Sequence, residues 1–162
     1  MAKSLPVLMI AATIAAPRLA SAQTIASVYN DAVSRYCKTA APAACTFYRG
    51  HAGYCIQEAG ASIGIYSSVS AFEREGLSPG QAAQMATEGA VGGAVPTGIS
   101  ADDAADIAQA AAQVIDSMTQ TARLEAQHPG QIAPLPPTFP TTADAFARDV
   151  VLRTCLDNLA QE

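Results

Sequence analysis

Residues 37–55, "CKTAAPAACTFYRGHAGYC", carry three of the chain's four cysteines and one of its two histidines. How these sulfurs are used decides the fold: they can hold a metal, form a redox pair, or staple helices together. The segment divides at Pro42. Proline disfavours helical backbone at the residue before it and suits the first turn of a helix. One helix therefore ends near Cys37, and a second begins near Ala43 with Cys45 in its first turn. From there Cys45, Tyr48, Ala52, Cys55 and Ala59 recur at alternating spacings of three and four, which makes a continuous stripe on one helical face.

Working outward, "TIASVYNDAVSRYC" (24–37) places Ile25, Val28, Tyr29, Ala32, Val33 and Tyr36 on one amphipathic face. The second helix is expected to continue to about residue 75 through "GASIGIYSSVSAFEREG", where Gly60 and Gly64 would let another helix come close. The β-branched and aromatic residues of "SIGIYSSV" also allow a short strand, although no partner strand is visible. Ser78-Pro79 starts a third helix, 79–91, which "VGGAVPTG" ends through its glycines and Pro96. Ser100 caps a fourth that runs to about Gln127, with Asp102 and Asp103 at its positive end. Ile107, Ala111, Val114, Ile115, Met118 and Ala122 line its apolar side. "HPGQIAPLPPTFP" (128–140) holds five prolines and reads as an extended connector. Thr142 starts the last helix, 143–160, with Val151, Leu152, Cys155, Leu156 and Leu159 facing inward.

The expected fold class is all-α, a small bundle of four to five helices cross-linked by two disulfides in one domain, 23–162. Half of the residues are apolar, but alanine dominates that half and tryptophan is absent. Alanine removes little surface from water, so such a core depends on close helix approach and gains from covalent staples.

Residues 1–22 read as a signal peptide. Lys3 precedes the apolar run "LPVLMIAATIAA" (5–16), which is too short to span a bilayer by roughly five residues or more. Ala20 and Ala22 then frame a cleavage site before Gln23. The expected location is periplasmic or secreted, with no stable membrane span after cleavage. Losing Lys3 and Arg18 takes nine Lys/Arg to seven against fourteen Asp/Glu, a net charge of −7. No basic patch exists, so nucleic acid and anionic membranes are poor partners. A basic protein partner is permitted.

An even number of cysteines in an exported chain reads first as disulfides. Cys45 and Cys55 on one helix lie about 15 Å apart, beyond the roughly 7 Å a disulfide allows between Cα atoms. Two arrangements remain. Cys37–Cys45 with Cys55–Cys155 is favoured, because a tight helical hairpin brings the first pair together. Cys37–Cys55 with Cys45–Cys155 is the alternative.

No motif for catalysis stands out: GxSxG, P-loop and GxGxxG patterns are all lacking. "GAVGGAV" has no lysine and follows a helix instead of opening one. His51 and Cys55, four apart, are compatible with zinc, but CxxC and HxxxH spacings are missing. Asp102, Asp103 and Asp106 sit in the first turns of a helix, where capping explains them. The expectation is a non-enzyme without metal or cofactor. Tyr48, Arg49, His51 and Tyr54 are the candidate binding residues, since Tyr and Arg are enriched at interface hot spots.

"CKTAAPAACTFYRGHAG" also resembles the small exported immunity proteins that protect bacteria from type VI secretion amidase effectors. The shared features are Cys37 ending a first helix, Cys45 after it, and Tyr48-Arg49-Gly50 in a second helix. "LEAQHPGQ" (124–131) and the final helix with Cys155 follow in the family's order. The sequence departs from that pattern in its extra Cys55, its Ala/Gly-rich segment 76–100 and its Pro-rich connector. The resemblance implies a protein that blocks a toxin's active site by contact alone. The leading expectation is thus an exported, disulfide-stabilised helical protein that acts by protein–protein binding, as an inhibitor or immunity protein. The alternatives are a structural component of a cell-envelope assembly or a periplasmic metal-binding protein using His51 and Cys55.

Overall fold

The computed structural model describes residues 24–93 and 98–162. The expected signal peptide, its cleavage site and Pro96 lie outside them. The described residues contain helices and no strand: α1 (Ile25–Thr39), α2 (Pro42–Arg74), α3 (Pro79–Gly92), α4 (Ala101–Gln127), α5 (Ala143–Phe146), a π-helical turn Ala147–Leu152, and α6 (Arg153–Leu159). The last three run on without a break as one C-terminal helix. "SIGIYSSV" lies within α2, so its strand alternative is not realised.

Local chemistry starts each helix where the sequence signals it. Thr24, Ser78, Ser100 and Thr142 each accept a backbone N–H bond with their side-chain oxygen, which satisfies one of the donors a helix start leaves open. At Ser78 the box is reciprocal, because Gln81 also accepts from the Ser78 amide. Pro42 and Pro79 open α2 and α3.

α2 is 33 residues long, about 50 Å, and organises the molecule. Its buried residues Tyr48, Ala52, Cys55, Ala59, Ser62, Tyr66 and Val69 continue the three-four stripe. The first half of the stripe packs with Val28 of α1 and with Ala147, Leu152 and Leu156. The second half, joined by Ile65, packs on α3, α4, Phe146 and Val151. The α3–α4 part of the core is mostly alanine: Ala82, Ala83, Ala86, Ala104, Ala108, Ala111 and Ala112 are each at most 5% exposed, with Ile107 and Ile115 beside them. Gly60 and Gly64 do not serve as the expected approach surface. They are exposed, and a Cβ at either would meet nothing within 4 Å. Ala122 is likewise exposed, because α4 outruns its neighbours in its last turn and a half.

The π-helical turn has a packing reason. Phe146 and Val151, five apart, both face the α2–α3–α4 cluster. Ala147 and Leu152, also five apart, both face the cluster with α1. An α-helix aligns residues three and four apart, and the wider turn aligns residues at five.

Two disulfides close the structure in the favoured arrangement. Cys37–Cys45 has a Cα–Cα distance of 5.0 Å, and Cys55–Cys155 has 5.5 Å across 100 residues. The fold is the all-α, doubly cross-linked bundle expected.

Candidate functional site

The four candidate binding residues separate on the structure. Tyr48 is 2% exposed and stacks on Tyr36 with ring centroids 4.3 Å apart. This corrects its reading as a surface contact. It belongs to the buried α2 stripe, where its ring packs in the cluster shared with α1 and the C-terminal helix. Burial pushes its hydroxyl above the usual tyrosine range. Arg49 is exposed and stands outside the groove described next. His51 and Tyr54 do line it.

That groove, of about 950 Å³, opens between the first half of α2, the start of α4 and the C-terminal helix. Its buried floor is Ile107, Val151 and Cys55, the last bonded to the half-buried Cys155. Gly50 and Gly53 form the α2 wall, with no atom within 4 Å of where a Cβ would sit. Glu58, Asp103, Asp106 and Glu162 contribute carboxylates, Gln57, Thr154 and Asn158 contribute neutral polar groups, and no Lys or Arg among the described residues lines it.

One hydrogen-bonded knot fixes the α2–α4 edge. The Tyr54 hydroxyl donates to Asp103 Oδ2 at 2.6 Å and accepts from the Ser100 amide at 3.2 Å. The Ser100 hydroxyl donates to the same carboxylate at 2.6 Å, and the Asp103 amide donates back to Ser100 Oγ at 3.1 Å. The bonds from Ser100 and then Tyr54 hold the Asp103 carboxyl below the ordinary aspartate range. The Tyr54 hydroxyl shifts upward, first because it donates to that carboxylate and then because it is desolvated. Capping therefore explains Asp103 in part, while its second role, across 49 residues to Tyr54, is tertiary.

Glu58 differs from Asp103. Burial, and then the nearby Asp103 charge, raises its carboxyl above the usual glutamate range. One of its oxygens lies within 4.8 Å of both Cys55 and Cys155 sulfurs, a metal-like grouping. Those sulfurs are bonded to each other, and metal ligation needs thiolates. The pairing of His51 with Cys55 loses its thiolate for the same reason. His51 instead donates from Nδ1 to the Phe47 carbonyl at 2.8 Å and stacks on the Phe47 ring.

Sequence reading missed Glu58, Asp106 and Asn158 as members of one site. A signal existed for α4: Asp103, Asp106, Ile107 and Ala110 fall on one helical stripe, mixing carboxylates with apolar groups. A second, smaller cavity of about 250 Å³ lies beside the Tyr36–Tyr48 stack, between Arg35 and Arg153. Each of those arginines is already paired, with Asp31 and Asp149 respectively. Compared with known proteins, the chain matches no family model, no curated protein and no solved structure.

Proposed function

We propose that this chain is an exported binding protein that seats a segment of another protein in the groove between α2, α4 and the C-terminal helix. The groove itself carries the reading. It combines a buried apolar floor, an open glycine wall and four carboxylates, the mix of apolar centre and polar rim that protein contacts use. Both disulfides are compatible with an oxidising compartment. No helix of the described residues is long and apolar enough to cross a membrane. The inhibitor or immunity role implied by the resemblance at 37–53 is the concrete form of this proposal, with the partner's functional surface covered by contact alone.

A photo-crosslinking side chain placed at Gly53 tests it in cells. The expected result is one discrete adduct that is absent when the same group stands at Gln113, on the exposed side of α4. Identical adduct patterns from both positions, or none from Gly53, would remove the groove as the binding site.

A further inference from the structure

We infer that the segment seated in this groove is cationic, carrying Lys or Arg beside apolar side chains, with Glu58 and Asp106 as the residues that read its charge. The inference rests on the groove being the protein-binding site and specifies the partner's chemistry. Of the four carboxylates that line the groove, Glu58, Asp106 and Glu162 are unspent, and the first two stand on different walls. Glu58 on α2 and Asp106 on α4 take part in no hydrogen bond or ion pair among the described residues. Asp103, by contrast, already accepts on Oδ2 from the hydroxyls of Ser100 and Tyr54.

Glu58 is half-buried without a counter-charge, an arrangement that is unfavourable in the free protein. Its raised proton affinity is the symptom. A cation between α2 and α4 would offset that burden and meet the Asp106 charge from the other side. The apolar floor at Ile107 and Val151 leaves room for the stem of a long basic side chain, whose methylenes pack while its head stays polar. The Gly50–Gly53 wall lets the partner's backbone come close, since no side chain projects there.

The test uses three synthetic amphipathic peptides of one design, bearing Lys, Gln or Glu at their polar positions, and the oxidised chain. Binding is read by fluorescence anisotropy, and the site by amide shifts at Gly50 and Gly53. The Lys peptide should bind tightest, move both glycine amides and weaken with added salt. Glu58→Gln and Asp106→Asn should each weaken it by roughly fivefold, whereas Asp31→Asn on α1 should change nothing.

Equal affinity for the Lys and Gln peptides, with both glycines shifting, would overturn the charge assignment while leaving the groove as a binding site. Failure of all three peptides to move the glycines would also overturn it, and Gly53 crosslinking then decides the broader proposal separately. Concentration-dependent dimerisation that protects the Gly50 and Gly53 amides from exchange would put a second copy in the groove and overturn it as well.

Discussion

Glu73 sits on α2 near Asp116 of α4, with one carboxylate oxygen buried and without a hydrogen-bond partner. Burial, then the Asp116 charge, raises its proton affinity. A carboxyl whose folded pKa is raised contributes stability below its unfolded pKa and loses it as pH rises through the folded value. Glu73→Gln should therefore raise the melting temperature at neutral pH, and the gain should vanish as pH falls below the ordinary carboxylate range. Asp103 has the opposite sign, because its pKa is lowered. Asp103→Asn should lose about 1 kcal/mol at neutral pH, a loss that fades as the pH drops through the depressed value. Melting curves of both variants against pH would show the crossing trends. Residue identity misleads at Tyr48, where a hot-spot type occupies a core position. The spacing from Cys45 to Ala59 already put it in the buried stripe, so periodicity was the better guide than side-chain chemistry.

At the scale of elements, small residues play two unlike roles. On the α3–α4 seam, Ala108 is fully buried among other alanines. Ala108→Leu has no room to expand, and denaturant unfolding should show a loss of about 1–3 kcal/mol. On the outer face of α2, Gly60 has open space and helical backbone, so Gly60→Ala should gain about 1 kcal/mol by the same measurement. A pair of outcomes without opposite signs would contradict this assignment of faces. The helices were legible because caps and prolines mark their starts and apolar spacing marks their inner sides. The π-helical turn was not, since a search at 3.6 residues per turn does not look for partners five apart such as Ala147 and Leu152. The groove was hidden for a different reason. Its members come from three helices, and only their packing brings Glu58, Asp106 and Asn158 to one opening.

Across the whole molecule, the two bridges are unequal. Cys37–Cys45 closes a short hairpin and Cys55–Cys155 spans 100 residues. Chain-entropy arithmetic assigns the long closure about 4–5 kcal/mol and the short one about 2–3 kcal/mol. Replacing Cys55 and Cys155 together by serine should thus lower the denaturant midpoint more than replacing Cys37 and Cys45. The reverse order would mean that the hairpin, not the long closure, limits stability. The long bridge also has a mechanical consequence. A chain pulled by residues 24 and 162 passes its tension from Cys55 straight to Cys155, so α3 and α4 bear no load while that bond lasts. In an optical trap the oxidised molecule would yield only its two flanks, and extension of the intervening span would begin on adding a reductant. Threading through a narrow pore meets the same obstacle, so any passage of this polypeptide through one has to be finished before its sulfurs join.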